Sequence, residues 1–121
     1  MRMFTEVGAR VPMHSSGVGK ATLAHLPSGE VDAILASTSS IDAPALRAEL
    51  ELSRERGFAL DDEEQEVGVR CLAVHVPGAP VPAALSTSSP TSRLTEDVYD
   101  SFAEELHATA AKLTAVWEAR P

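Results

Sequence analysis

Hydroxyl and thiol side chains recur along two neighbouring segments in the second half of the chain. Cys71 points to one side of a strand predicted at residues 67–76, and Ser86 and Ser88 share a face of a partner strand predicted at 81–88. If the strands pair, one thiol and two hydroxyls can line one surface, which suits hydrogen bonding to a small polar ligand. The alternative is a sheet face that only meets water.

Cys71 and Ser86 are also candidate nucleophiles, and either would need a base within hydrogen-bond reach. His75 shares a strand face with Cys71, but four residues of about 3.3 Å each separate them by about 13 Å. His14 stays conceivable, because only the fold can bring it near. No helix start lies near Cys71 to activate its thiol, so a small buried cysteine is the preferred interpretation.

A glycine-rich segment, Gly17-Val18-Gly19-Lys20, invites comparison with phosphate-binding loops. A Walker A loop needs glycine where His14 stands and Ser or Thr where Ala21 stands. A dinucleotide-binding fingerprint needs glycine near Thr22. The segment is therefore not expected to bind a nucleotide.

Ser15 and Ser16 precede this segment at the predicted start of a helix. They either cap the helix or belong to an anion site made by free backbone N–H groups, and the local sequence favours capping.

Neither a metal nor another cofactor is expected. The acidic run Asp61 to Glu64 lacks the alternating spacing and central glycine of a calcium loop, so a solvated loop is the default. The four histidines show no metal-ligand spacing.

Composition excludes several classes of protein. A chain of 121 residues supports one domain, and its net charge of −8 argues against direct binding to DNA. A single cysteine allows no internal disulfide, and no apolar run has the length of a signal peptide core or a membrane span. We therefore expect a cytoplasmic protein that has no membrane contact.

The predicted elements mix strands and helices, with an antiparallel hairpin, and indicate an α+β fold. The predicted strands or extended segments lie at 3–7, 11–13, 58–60, 67–76 and 81–88, and Ser89-Pro90 ends the last of them. The predicted helices lie at 20–26, 30–36, 42–56 and 95–118; Gly57 ends the third, and Thr95 caps the fourth. The last helix carries an apolar stripe of Val98, Phe102, Leu106, Ala110, Leu113 and Trp117.

Four ordered blocks resemble the effector-binding domain of IclR-type bacterial transcription regulators across nearly the whole chain. They are PMHSSGVGKA at 12–21, RERGFALDDEE at 54–64, GVRCLA at 68–73 and AALSTSSP at 83–90. The last block departs mildly from the family pattern, which often has glycine where Ser89 stands.

The resemblance implies a GAF- or profilin-like fold, a curved antiparallel sheet flanked by helices. It implies a sensor of a small organic acid or related metabolite, not an enzyme, in which the ligand changes the arrangement of subunits in a homo-oligomer. The ligand-binding residues it implies are Val11, Gly17, Val18, Asp61, Val69, Cys71, Ser86 and Ser88. A carboxylate at Asp61 would accept a hydrogen bond from an O–H or N–H of the ligand.

In such a regulator, DNA is bound by an N-terminal winged helix-turn-helix, and the resemblance places Met1 inside the effector domain. We therefore expect 1–121 to be a partial effector domain: a fragment, a truncated gene product or a misassigned start. A missing first strand would leave an unpaired sheet edge that self-association could cover. Two other functions stay open: a small hydrolase using Ser86 or Cys71, and a dimerisation module without a ligand.

Overall fold

The computed structural model describes residues 10–38 and 41–119, so the strand predicted at 3–7 lies outside the described residues. The described elements are α1 (Gly17–Leu23), α2 (Ser28–Ser37), α3 (Ala43–Arg56), β1 (Ala59–Asp62), β2 (Val69–His75), β3 (Ala84–Pro90), a 3-10 turn (Glu96–Val98) and α4 (Tyr99–Glu118). Within these ranges no helix combines the length and hydropathy needed to cross a bilayer.

The segment before α1 turns instead of extending. Of the stretch 11–13 that was predicted to be extended, Met13 lies in a turn, and residues 11 and 12 belong to no helix or strand. This turn brings Ser16 into the capping position, where its Oγ accepts a hydrogen bond from the N–H of Gly19 at 3.1 Å. Helix α1 therefore begins at Gly17, three residues earlier than predicted, and ends at Leu23.

Helices α2 and α3 form with α1 a small apolar cluster at one end of the molecule. Asp42 caps α3 by accepting a hydrogen bond from Ala45 N at 3.1 Å, and Gly57 ends it with a left-handed φ of 86°, as predicted. The buried members of the cluster are Leu23, Ala24, Val31, Leu35, Leu46 and Leu50.

The three strands form an antiparallel sheet in the order β1-β2-β3. Asp61 and Asp62 belong to β1, so the prediction of an acidic loop from Asp61 onward is wrong; pairing with β2 carries the strand two residues further. The predicted break at Ser89-Pro90 is also wrong. Pro90 pairs with Val69 as the last residue of β3, a position where its missing N–H is tolerated.

Helices cover the two faces of the sheet. Small side chains, Ala21 against Ala59 and Ala73, let α1 approach one face closely. On the other face α4 packs its apolar stripe against Leu72, Val74 and Val76, so the predicted stripe is part of the core. The predicted side-chain cap from Thr95 is not formed, because its hydroxyl bonds Asp97 at the start of the 3-10 turn. The α+β class predicted from the sequence is confirmed.

Candidate ligand-binding site

A cavity of about 200 Å³ opens between the start of α1 and the α1-facing side of the sheet. Its lining residues are Val11, Ser16, Gly17, Val18, Asp61, Gln65, Glu66, Val69, Cys71, Ser86 and Ser88. All eight residues named from the sequence are among them. The structure therefore brings the predicted set together, while their contact with a ligand stays a prediction.

The α1 wall of the cavity is backbone. A Cβ on Gly17 would lie 3.4 Å from the Cβ of Cys71 and 3.5 Å from that of Ala73, so the helix start lies close against β2. Among the described residues, no hydrogen bond uses the N–H of Gly17 or of Val18. The two N–H groups at this wall therefore remain able to donate to a ligand atom.

Ser16 caps the helix, which is the role that the local sequence favoured. Its Oγ accepts from Gly19 N at 3.1 Å and donates to the carbonyl oxygen of Pro12 at 2.6 Å. The hydroxyl thus fixes both the helix start and the preceding turn, and it helps to shape the cavity from a buried position.

The second glycine and the lysine of the glycine-rich segment also have structural roles. A Cβ on Gly19 would lie 2.4 Å from both the Cα and the carbonyl oxygen of Met13, so only glycine fits against this turn. Lys20 points away from the cavity and bonds Leu60 O at 2.9 Å. These contacts explain the segment without a phosphate.

The sheet wall carries the predicted row of thiol and hydroxyls. Strand register places Cys71 opposite Ser88 and Ala73 opposite Ser86, and the Cys71 Sγ lies 3.0 Å from the Ser88 Oγ. Burial, more than the nearby Asp61 carboxylate, raises the pKa of the Cys71 thiol, although the Ser88 hydroxyl opposes the shift. The expectation that no helix start lies near Cys71 is wrong, because Gly17 at the start of α1 lies against it, a contact between residues far apart in sequence. Because burial still favours the neutral thiol, Cys71 is a hydrogen-bonding group and a poor nucleophile.

No imidazole lines the cavity within the described part of the chain. His75 instead stacks on His25, with ring centroids 4.2 Å apart, beyond the end of the cavity. His14, which could not be excluded from the sequence, is not among the lining residues. The base that a Ser86 or Cys71 nucleophile would need is thus not a histidine of the described residues. In the same ranges, no three metal-ligating side chains of His, Cys, Asp or Glu gather.

Asp61 is almost fully buried, at 2% exposure, and already has two hydrogen-bond donors. Its Oδ1 accepts from Glu64 N at 2.8 Å and from Gln65 N at 3.3 Å, which closes the loop that follows β1. The other oxygen, Oδ2, takes part in no hydrogen bond among the described residues. Asp61 therefore shapes the cavity wall through the loop and keeps one oxygen for a further donor.

Three lining residues escaped the sequence interpretation as ligand contacts: Ser16, Gln65 and Glu66. Gln65 and Glu66 directly follow the acidic run that was interpreted as a solvated loop. The signal available for them was Asp61, since an aspartate commonly accepts hydrogen bonds from backbone N–H groups just after it and so turns the next residues back toward itself. That pattern would have placed 63–66 against the site.

Comparison with known proteins identifies the family. The family model described as bacterial transcriptional regulator IclR C-terminal matches residues 1–115. The chain belongs to the IclR family. The resemblance seen in the four sequence blocks is thereby confirmed, and the matching part of the family is its C-terminal domain.

Individual IclR-type proteins agree with this assignment. The chain is 37% identical over 131 residues to the HTH-type transcriptional repressor AllR of Salmonella paratyphi A, covering all of this chain and 48% of that protein. The C-terminal domain of the Escherichia coli regulator KdgR superposes with a TM-score of 0.80 at 38% identity, covering 91% of this chain and 73% of that one. The chain spans about half the length of the curated relatives it matches.

A second similar structure contains a ligand. The inducer-binding domain of a double mutant of the PobR transcription factor from Acinetobacter, in complex with 3-hydroxybenzoic acid, superposes with a TM-score of 0.74. It is 26% identical, and the match covers 90% of this chain and 69% of that one.

Proposed function

We propose that this IclR-type domain binds a small organic acid or related polar metabolite in the cavity between α1 and the sheet, and that binding controls transcription. The observation that carries the proposal is the convergence of all eight predicted residues on one cavity. An acid bound to an inducer-binding domain of similar fold supports the same class of ligand.

The lining of the cavity fits a compact molecule with an apolar body and a few polar atoms. Val11, Val18 and Val69 supply apolar walls, while the N–H groups at the start of α1 and the hydroxyls of β3 supply donors. At about 200 Å³ the cavity is smaller than the roughly 300–1,000 Å³ of pockets for drug-sized ligands. This size favours a metabolite of few heavy atoms.

The control of DNA binding would run through the rest of the regulator. With a net charge of −8, this chain repels a polyanion, so DNA would be contacted by a winged helix-turn-helix domain attached to it. Effector binding would favour one arrangement of subunits in a homo-oligomer and so change the affinity for the operator by population shift. Such a regulator acts in the cytoplasm, where its operator lies.

Binding without turnover is the expected outcome at this site. The curated relatives are repressors, which is not an enzymatic role. The raised pKa of the Cys71 thiol disfavours its thiolate, and the Ser86 hydroxyl has no imidazole beside it among the cavity-lining residues of the described part of the chain.

A thermal-shift titration with a panel of small carboxylates, including 3-hydroxybenzoate, tests the proposal. A ligand that binds the native state raises the melting temperature as its concentration passes Kd. We expect Ser86→Ala to weaken the response about tenfold in concentration, the cost of about one lost hydrogen bond. Ser89→Ala is the matched control, because Ser89 lies three residues further along β3, pairs with Arg70 and does not line the cavity.

Three results would contradict the proposal. Equal responses from Ser86→Ala and Ser89→Ala would place the ligand elsewhere. A ligand recovered chemically changed would favour the hydrolase, and no response to any carboxylate would favour a dimerisation module without a ligand.

A further inference from the structure

Lys20 is a buried charged residue that the cavity does not use. Its side chain is 2% exposed, and its ammonium donates to Leu60 O at 2.9 Å. It also forms ion pairs with Glu49, at 3.1 Å, and with Glu64. Because an unpaired buried ammonium is costly, these partners must hold their positions as long as the fold stays intact.

One partner of Lys20 belongs to the loop that supplies part of the cavity wall. Glu64 lies in the loop 63–66, and the next two residues, Gln65 and Glu66, line the cavity. The loop carries a residue in an unfavourable conformation, Glu63 with a φ of 62°, a region that residues other than glycine rarely adopt. Contacts from outside the loop are needed to hold this geometry.

The outside contacts come from α1, from the turn before it and from β1. Asp61 accepts hydrogen bonds from the N–H groups of Glu64 and Gln65, and the Gln65 Nε2 donates to the Ser15 Oγ at 2.7 Å. Lys20 adds the one charged link from α1 to this loop among the described residues. Helix α1, whose N-terminus forms one wall of the cavity, is thus linked through its own lysine to the loop 63–66, which forms another wall.

We propose that Lys20 is a positioning residue for ligand binding: through Glu64 it holds the loop 63–66 in the conformation that places Gln65 and Glu66 at the cavity. This inference rests on the proposed binding of a ligand there and deepens it. Lys20 does not touch the ligand, since it is not among the lining residues.

The second ion pair supplies an internal control. Glu49 belongs to α3, is 54% exposed and does not line the cavity. Glu49→Gln and Glu64→Gln each neutralise one of the two carboxylates that pair with the Lys20 ammonium, but only Glu64 is part of the loop. A purely structural role for Lys20 predicts that the two substitutions act alike, whereas the positioning role predicts that only Glu64→Gln affects the cavity.

Hydrogen exchange of the Glu64 and Gln65 amides tests the holding of the loop without any ligand. These amides donate to Asp61, so loss of the loop geometry exposes both of them to solvent. We expect Lys20→Met and Glu64→Gln to speed their exchange at least tenfold relative to wild type, and Glu49→Gln to leave it unchanged. Titration with 3-hydroxybenzoate, benzoate, pyruvate and lactate should show a matching loss of affinity of about tenfold, in the first two variants only.

The outcomes separate this inference from the proposed function. Equal exchange in Glu64→Gln and Glu49→Gln would overturn the role of Lys20, even if a carboxylate binds. If wild type binds none of the four carboxylates, the proposed function loses support, while the exchange data still decide whether Lys20 holds the loop. If Lys20→Met fails to fold, Glu64→Gln, at a carboxylate that is 36% exposed, decides the matter alone.

Discussion

Replacing Gly19 by alanine should destabilise the domain, although alanine is the better helix former. The new Cβ would lie 2.4 Å from the Cα and the carbonyl oxygen of Met13. Contacts between carbon atoms relax near about 3.5 Å, so α1 and the turn at Met13 would have to separate by about 1 Å. Both sides of the contact are backbone, so no side-chain rotation can relieve it.

The expected cost follows from three contributions. Overpacking costs about 1–3 kcal/mol, and an obstacle made of backbone puts Gly19→Ala at the upper end. The same separation strains the cap that Ser16 makes to Gly19 N, which is worth about 1 kcal/mol. The higher helix propensity of alanine offsets about 1 kcal/mol, so the free energy of unfolding should fall by about 3 kcal/mol in total. At about 4 °C per kcal/mol for a domain of this size, the melting temperature should fall by about 12 °C.

Urea unfolding of wild type, Gly19→Ala and Gly29→Ala provides the assay. Gly29 lies in α2 with nothing within 4 Å of its Cβ position, so alanine there should be neutral or should stabilise by up to about 1 kcal/mol. A Gly19→Ala protein as stable as Gly29→Ala would refute the close approach of α1 to Met13. A ligand titration on the folded fraction should also show weakened binding, because Ser16 lines the cavity.

Three further outcomes are expected. Asp61→Ala should lower the free energy of unfolding, measured with urea, by about 1–2 kcal/mol, because two N–H groups lose their acceptor. Asp61→Asn keeps an oxygen for these N–H groups and should lose less stability, so equal losses would contradict this role. Burial and then the neighbouring His25 lower the pKa of His75, so the unfolded chain binds more protons than the native one below the ordinary pKa of about 6.5. Stability should therefore fall as pH drops from about 7 toward 5, and His75→Gln should flatten that part of the curve; an unchanged slope would count against it. Because the pKa of Cys71 is raised, iodoacetamide should modify its thiol more slowly at pH 8 than it modifies glutathione, and a bound ligand should slow the modification further. Mass spectrometry measures both rates, and modification as fast as that of glutathione would disprove the burial of the thiol.

The parts of the fold that depend on local pattern could be predicted. The alternation of side chains along β2 correctly separates the residues that face the cavity from those that face α4, because the side chains of a strand alternate whatever lies around it. Gly57 ended α3 as expected, because its left-handed conformation is a property of the residue itself.

The features that escaped prediction depend on contacts distant in sequence or on the pairing of strands. Asp61 was expected in a loop, yet its pairing with Cys71 extends β1 and buries its carboxylate. Pro90 was expected to break β3, yet the end of a strand tolerates a residue without an N–H. Lys20 could not be assigned partners, since Glu64 is 44 residues away along the chain.

The contact between α1 and the sheet divides the cavity into positions that can change and positions that cannot. A Cβ on Gly17 would already touch the Cβ atoms of Cys71 and Ala73, at 3.4 and 3.5 Å, so a side chain larger than that of alanine there would lift the helix. Ser86 is exposed and Ser88 half-buried on the facing strand, where substitutions usually change stability by less than about 0.5 kcal/mol. Under the proposed function, substitutions at Ser86 and Ser88 should therefore change ligand preference without loosening the contact between α1 and the sheet, which makes β3 the place to redesign the domain as a biosensor.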